Sequence, residues 1–307
     1  MKGAFSSPIR ELGYLVDKNL FPDNCYRFSS GGYPSAIPQL TNEQFLNFHR
    51  KYYHPSNSYI FLYGDAEMEQ ELQFIDEKNL SNYDRSEKVA AIKMQKPFSE
   101  MKKVIGYYSV AEGSNTKDNT YISLNWVIGK GKDQTLVMAL DILAEALVNH
   151  ESAPVRLALQ EAGIGKDVSA YASNKKQNVL TIRIQNANAE DADTFYNIVR
   201  NTIAETIEKG FDKEMINGII NRLEFRLREG DDAQKGLTAI FQAYSGWWYG
   251  NDPFLSLEWE KPLAEVKTMA LESLLKEQVV DNSHSLLLIM KPKPGLEAEK
   301  KKAEGLK

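Results

Sequence analysis

The stretch from Ser29 to Asp65 constrains the fold more than any other part of the chain. After a loop rich in glycine and proline, Thr41 and Gln44 have the spacing of a capping box at the start of a helix. His54-Pro55 predicts the end of that helix, because proline disfavours helical dihedral angles at the residue before it. The apolar run Tyr59–Tyr63 is too short for a helix and predicts a strand covered on both faces.

Two further helices are predicted in the first block of the chain. Pro8 to Leu20 carries apolar residues at helical spacing, and a helix capped by Asp65 is expected to bury Met68, Leu72 and Ile75. The sequence then becomes charged and nearly free of large apolar residues from Asn82 to Lys96. We therefore predict a first block at residues 1–82 and a linker at residues 83–98, which limited proteolysis should cut first.

Residues 99–291 have the pattern of an α+β domain, with strand pairs followed by runs of helices. The predicted strands are Val104–Val110, Tyr121–Ile128, Val168–Ala172, Val179–Ile184 and Ser285–Met290, and the last two predicted helices are Ala233–Trp248 and Pro262–Val280. We expect a mixed or antiparallel sheet with its helices largely on one face, stable without the first block. Residues 292–307 are predicted to be a charged tail or the start of an interdomain linker.

Composition excludes several classes of partner. The net charge of −5 argues against nucleic acid, and no apolar run approaches the length of a membrane span. The single cysteine, Cys25, rules out an internal disulfide framework and favours a reducing compartment, so we expect a cytoplasmic protein.

The four histidines do not form a metal-binding motif. His49 and His54 are five residues apart across a helix end, whereas ligands on one helix face need a spacing of three or four. His150-Glu151 begins like the metal-binding pattern His-Glu-x-x-His, but Pro154 stands where the second histidine would be needed. His284 precedes a strand and has no partner nearby in the sequence. We predict packing and capping roles for His49 and His54 and no metal-binding role for His150.

Three other features have both a functional and a structural interpretation. Cys25 would act as a nucleophile only if the fold brought a histidine to it. Gly129-Lys130-Gly131-Lys132 lies between a strand and a helix, but it lacks the spacing and the hydroxyl of a phosphate loop, and we predict an ordinary connection. The aromatic residues Trp247, Trp248, Tyr249 and Trp259 either line a peptide-binding wall or pack within the protein.

Several phrases of the sequence resemble the insulinase (pitrilysin) family of zinc metallopeptidases, and most of all its presequence-protease branch. They occur in the family's order and cover nearly the whole chain: Met1-Lys2-Gly3, Ser6-Ser7-Pro8, Ser30-Gly31-Gly32, Ile37-Pro38-x-Leu40-Thr41, Phe48-His49, Tyr52-Tyr53-His54-Pro55-Ser56-Asn57, Tyr63-Gly64-Asp65, Leu124-Asn125-Trp126, Leu223-Glu224-Phe225, Asp252-Pro253-Phe254 and Asn282-Ser283-His284. The resemblance implies the end of one insulinase-type α/β domain followed by a second, complete one.

The resemblance also implies hydrolysis of peptides by a zinc-polarised water, with a glutamate as general base. The family's His-x-x-Glu-His helix and its distant glutamate ligand are both absent from this sequence, whose match begins just after that glutamate. Zinc is therefore expected for the complete enzyme, whereas this chain alone is expected to bind no zinc, to contribute no catalytic, metal-binding or cofactor-binding residue, and to be inactive. An arginine and a tyrosine from the family's other half would also lie outside it.

The sequence is compatible with two functions. The chain is either a wall of the substrate chamber of a metalloendopeptidase, completed by further N- and C-terminal parts, or a non-catalytic scaffold or partner subunit of an insulinase-type heteromer. A zinc motif encoded just upstream of Met1 would favour the first. Because residues 1–82 offer few strands to pair with Tyr59–Tyr63, self-association of the chain is expected.

Overall fold

One five-stranded sheet runs through the computed structural model, which describes residues 7–33, 36–87, 89, 91–229 and 234–303. The strands are β1 (Lys102–Val110), β2 (Thr120–Ile128), β3 (Asp167–Ser173), β4 (Asn178–Ala187) and β5 (Ser285–Pro294), in the order β1-β5-β2-β4-β3. β1 pairs with β5 in parallel, and the other three pairs are antiparallel. The predicted α+β class and the mixed sheet are confirmed.

The helices account for about half of the remaining described residues. They are α1 (Pro8–Leu20), α2 (Asn42–Tyr52), α3 (Met68–Lys78), α4 (Gln134–Ala144), α5 (Pro154–Glu161), α6 (Ala192–Lys209), α7 (Lys213–Glu229), α8 (Lys235–Trp247), α9 (Glu260–Lys267), α10 (Leu271–Leu275) and α11 (Leu296–Ala303). A π-helical turn extends α4 over Glu145–Asn149, and another extends α10 over Lys276–Val280. The predicted capping box of α2 is present, since Thr41 Oγ1 accepts from Gln44 N at 3.1 Å and Gln44 Oε1 accepts from Thr41 N at 2.9 Å.

The larger hydrophobic core lies between the sheet and the helices on one face. Strand residues that alternate toward this face, such as Leu124 and Ile182, pack against α4, α5, α6, α7, α9 and α10. Phe195 of α6 is fully buried there. This layer agrees with the expected arrangement of helices largely on one face.

The opposite face of the sheet is covered by α1, from the predicted first block. Leu12, Val16, Leu20 and the following Phe21 form a second buried cluster with residues of β1, β2, β4 and β5. The core of the sheet therefore includes residues outside 99–291, and the expected independence of that segment does not follow from the packing. The domain boundary at residues 83–98 stays a prediction.

The last part of the predicted linker is fixed to the rest of the molecule. Gln95 is buried, its N–H donates to Gln177 Oε1 at 2.7 Å, and its side-chain amide donates to Asp23 Oδ2 at 2.7 Å. Asn24 Nδ2 donates to Lys93 O at 3.2 Å. These bonds join the linker to the β3–β4 hairpin and to the residues after α1, so we expect proteolysis within the linker only before Lys93.

The predicted strand at Tyr59–Tyr63 is wrong. This segment forms no strand, and Ile60, Phe61 and Tyr63 are exposed. An apolar strand needs hydrogen-bonded neighbours on its sides. None of the strands in the described residues pairs with this segment. Its aromatic side chains contact α8 instead.

The predictions for α3 are wrong in two respects. The helix begins at Met68 after Glu67, and no side chain caps it, so Asp65 does not have the predicted role. Met68 and Leu72, which were expected to be buried, are exposed, because no other element of the described residues covers them.

Two predictions near the C-terminus also need correction. The single helix predicted over Pro262–Val280 is interrupted between α9 and α10, and this break lets Val266 and Leu271 both reach the core. The tail is not entirely solvated, since β5 continues to Pro294, which lies opposite Val110 of β1, and α11 follows. The resemblance at Met1-Lys2-Gly3, Pro34 in the first loop, Ala233 at the predicted start of α8, and residues 304–307 lie outside the described residues.

Candidate functional site

The histidines outside the sheet have local structural partners. His49 stacks on Tyr53, with ring centroids 4.7 Å apart. His54 Nδ1 accepts from Ser56 N at 3.2 Å and lies 3.0 Å from Ser86 Oγ, so it caps one turn and joins it to the start of the predicted linker. His150 Nδ1 accepts from Ser152 N at 3.3 Å. The contacts of His49 and His54 agree with the packing and capping roles predicted from the sequence.

The Asn282-Ser283-His284 motif joins α1, β2 and the linker to the start of β5. Asn282 Nδ2 donates to Val127 O at 2.9 Å, Ser283 Oγ donates to Phe98 O at 2.5 Å, and His284 Nε2 lies 2.9 Å from Leu20 O. His284 is buried between the rings of Phe21 and Phe98. Its role is therefore structural.

Stability should depend on pH through His284. Burial is the main cause that lowers its pKa from the ordinary value of 6.5, and nearby Lys102 acts in the same direction. As the pH falls, His284 therefore binds a proton in the unfolded chain at a higher pH than in the folded protein. The stability that neutral His284 contributes is fully present above its ordinary pKa, and it is lost as the pH falls through the pKa of His284 in the folded protein. We expect His284→Gln to reduce the loss of unfolding free energy between about pH 7.5 and about pH 5.5, measured by urea denaturation. Equal losses in both proteins would contradict this prediction.

The glycine-rich connection after β2 has no anion-binding geometry. Gly131 N donates to Lys176 O at 3.1 Å, and a Cβ at Gly131 would overlap the backbone oxygen of Lys175. The glycine is needed for close approach to the β3–β4 hairpin. Asp133 Oδ1 accepts from Leu136 N at 3.0 Å and caps α4, so its carboxylate occupies the position that an anion would need.

The residues that the structure describes do not fit a zinc site. Within the described ranges, no three His, Cys, Asp or Glu side chains are grouped so that they could hold a metal ion. Nδ1 of His54 and Nδ1 of His150 already accept backbone hydrogen bonds, and Cys25 is an exposed free thiol. No hydrolytic step can therefore be assigned to these residues.

Helix α8 presents an apolar stripe, which we call the α8 stripe: Leu237, Phe241, Tyr244 and Trp248, where the last of these directly follows the helix. Tyr244 is half-buried and the other three side chains are exposed. Their spacing of three or four residues places them on one face. Leu237, Phe241 and Trp248 are 46%, 67% and 56% exposed. Such a row of exposed apolar side chains is a candidate binding surface.

The extended segment 59–63 supports one side of this stripe. The ring of Tyr59 meets that of Trp247 edge to face at 4.5 Å, and Phe61 meets Tyr244 at 6.3 Å. Tyr244 stacks on Trp248 at 5.3 Å, which orients the two rings together. Tyr63 packs so closely on α8 that a Cβ at Gly236 would overlap its ring.

The aromatic residues singled out in the sequence divide between surface and packing. Trp248 lies in the α8 stripe, whereas Trp247 packs on Tyr59. The hydroxyl of Tyr249 lies 3.4 Å from that of Tyr26, and burial raises its pKa. Trp259 packs against the larger core. The sequence pattern identified Trp248 but missed Leu237 and Phe241, whose only signal is their helical spacing from it.

A separate cavity of about 250 Å³ opens between α6, β2 and the residues before β5. Leu124, Trp126 and Val199 belong to its apolar lining, and Tyr196, Arg200 and Asp281 contribute polar groups. Nothing in the sequence pattern indicates this cavity, because its lining comes from parts of the chain that are far apart in the sequence, such as Leu124 and Asp281.

No helix in the described part of the chain combines the length and the apolar composition that crossing a bilayer requires.

Comparisons with known proteins identify the family. Residues 39–223 match the model of the Peptidase M16 inactive domain, which is more than half of the 307 residues. The chain is 42% identical to Protein HypA of Clostridium perfringens over 99% of this chain and 32% of that protein. It is 31% identical to Presequence protease 1, chloroplastic/mitochondrial, of Arabidopsis thaliana over 96% of this chain and 28% of that protein.

The fold is shared with solved structures of low sequence identity. A protease from Helicobacter pylori superposes with a TM-score of 0.72 at 14% identity, over 94% of this chain and 67% of that one. The chain spans about a third of the length of the curated relatives that it matches. The match to the inactive-domain model, together with the similarity to presequence proteases over nearly the whole chain, establishes that this chain belongs to the M16 (insulinase) family of peptidases.

Proposed function

We propose that this chain forms part of the wall of the peptide-binding chamber of an M16-type zinc metalloendopeptidase. Zinc, its ligands and the general base would come from residues outside this chain. The observation that carries the proposal is the α8 stripe, a row of large apolar side chains, three of them exposed, in a domain of a peptidase family. Relatives named as presequence proteases support a peptide as the substrate class.

The α8 stripe has the properties that binding of varied peptides requires. Aromatic rings offer a large contact area at a small cost in side-chain entropy, and they accept apolar side chains of different shapes. The contact of Tyr244 with Phe61 and its stacking on Trp248 hold the rings in place before a peptide arrives. The role of these residues would be to bind and orient the peptide, without a part in the chemical step.

Replacement of Phe241 or Trp248 by serine should weaken peptide binding by about tenfold each, because each removes a large apolar contact. The measurement is fluorescence anisotropy of a labelled unfolded peptide that contains leucine and arginine, titrated with the purified chain. Leu157→Ser, at an exposed apolar residue of α5, is the control and should leave the affinity unchanged. Unchanged affinity in both stripe variants would contradict the proposal.

The second candidate is a non-catalytic scaffold or partner subunit, and the match to an inactive domain favours it. In that case the α8 stripe would contact another protein chain. Sedimentation velocity separates the two functions: if the chain self-associates and Phe241→Ser makes it monomeric while peptide affinity is unaffected, the stripe is a subunit interface.

A further inference from the structure

We propose that the cavity between α6 and β2 binds the C-terminal residue of a peptide. The apolar side chain of that residue would enter the cavity, and its carboxylate would contact Arg200 and Tyr196 at the rim. The inference rests on the proposed function for its choice of a peptide, but it concerns residues other than the α8 stripe.

The interior of the cavity fits one apolar side chain. Leu124 and Trp126 of β2 and Val199 of α6 are buried residues that line it. Its volume of about 250 Å³ lies just below the range of about 300–1,000 Å³ that is typical of sites for whole small molecules. A site of this size and lining suits a leucine or phenylalanine side chain.

Two hydrogen-bond donors converge at the rim. Arg200 Nη1 donates to the Tyr196 hydroxyl oxygen at 3.0 Å, from one turn further along α6. This bond leaves the hydroxyl hydrogen of Tyr196 available to a ligand, together with the other N–H groups of the guanidinium. In the described part of the chain, no carboxylate lies within ion-pair distance of Arg200. Arginine binds carboxylates with two parallel hydrogen bonds, and none of its own neighbours occupies that position.

The other polar residues of the rim do not favour a different ligand. Asp281 is already paired with Lys276 at 2.5 Å, so its charge is neutralised. Asn282 donates to Val127 O and Gln278 O, and Ser283 donates to Phe98 O. The guanidinium is therefore the uncompensated charge at this rim, which selects an anion rather than a cation.

A ligand that carries a carboxylate beside an apolar side chain matches both the hydrogen-bond donors at the rim and the apolar interior of the cavity. The C-terminal residue of a peptide carries its carboxylate on the same carbon as its side chain, so one residue can reach the rim and the interior together. A free N-acetylated amino acid has the same groups, whereas an internal peptide residue lacks the carboxylate.

The test uses the full chain and three probes: N-acetyl-Gly-Gly-Leu as the free acid, its C-terminal amide, and N-acetyl-leucine. The readout is the indole N–H signal of Trp126 in ¹H–¹⁵N spectra, assigned with Trp126→Phe. We expect the acid to bind about tenfold more tightly than the amide, because a hydrogen bond to a charged group is lost with the amide. Tighter binding of the tripeptide than of N-acetyl-leucine would identify a peptide rather than a free amino acid as the ligand.

Substitutions at the rim test which side chains donate hydrogen bonds to the carboxylate. Arg200→Gln should remove the preference for the acid, and Tyr196→Phe should reduce it, while binding of the amide stays the same. Arg50→Gln removes one exposed arginine from α2 and is the control for net charge. Circular dichroism of every variant checks that the fold is retained.

Equal binding of acid and amide, or an acid preference that survives Arg200→Gln, would overturn the inference. If the tripeptide acid shifts the NMR signals of the α8 stripe but not the indole signal of Trp126, the cavity inference is overturned. The proposed peptide-binding wall would remain supported in that case. Conversely, an acid preference that depends on Arg200, combined with serine variants of the stripe that bind peptide normally, would support the cavity and contradict the wall.

Discussion

Replacement of Phe21 by alanine is expected to lower the free energy of unfolding by about 3–5 kcal/mol. Phe21 is fully buried at the end of α1, where its ring meets Tyr26 at 5.2 Å and lies 5.7 Å from Lys175 Nζ. Truncation would open a cavity in the cluster that joins α1 to the sheet. Urea denaturation followed by circular dichroism measures the change.

Phe28 provides a matched control seven residues further along the chain. It is 63% exposed, so Phe28→Ala should change the free energy of unfolding by no more than about 0.5 kcal/mol. Similar effects of the two substitutions would show that α1 does not pack on the sheet in solution.

The same packing argues against the stability of residues 99–291 alone. Removal of α1 would expose Leu286, Leu288 and Met290 of β5, which α1 covers. We expect this fragment to aggregate or to unfold at lower urea concentration than a fragment that begins at Ser7. If the shorter fragment is equally stable, the boundary predicted from the sequence at residues 83–98 is a domain boundary in the thermodynamic sense as well.

Replacement of Gly131 by alanine is expected to cost about 3 kcal/mol, at the upper end of the usual range for overpacking. The added Cβ would overlap the backbone oxygen of Lys175, so the β2–α4 connection and the β3–β4 hairpin would have to separate. The hydrogen bond from Gly131 N to Lys176 O would be strained or lost. Thermal and urea denaturation measure the effect.

Gly218 is the control for this substitution. It lies inside α7, and apart from the helix itself no atom would come within 4 Å of a methyl group added at this position. Gly218→Ala should stabilise the protein by up to about 1 kcal/mol, because alanine favours the helix. A destabilised Gly218→Ala, or a Gly131→Ala protein of unchanged stability, would contradict the structural explanation of the glycine-rich connection.

The motif Leu124-Asn125-Trp126, which carried part of the family resemblance, has a structural role in this chain. In Leu124-Asn125-Trp126, the two apolar residues face the helical layer and Asn125 faces the other way. There Asn125 Nδ2 donates to Leu286 O at 3.1 Å, and Thr181 Oγ1 donates to Asn125 Oδ1 at 2.9 Å. A buried amide that is fully hydrogen-bonded fixes the register of three strands. The resemblance thus identified the fold through residues that hold it together.

The sequence by itself determined the features that depend on a few neighbouring residues. The capping box at Thr41, the full extent of α1 and the β3–β4 hairpin were all predictable. Each is decided by dihedral preferences or hydrogen bonds within one or two turns of chain.

Only the tertiary structure decided which apolar residues are covered and by what. Tyr59–Tyr63 has the composition of a buried strand, yet it lies against α8, because a strand exists only where another strand pairs with it. α1 has an ordinary amphipathic pattern that does not indicate which sheet it covers. The cavity at Arg200 combines residues from a helix, a strand and a turn that are distant in the sequence. Burial and site formation are properties of the packed assembly of elements, and no local pattern encodes them.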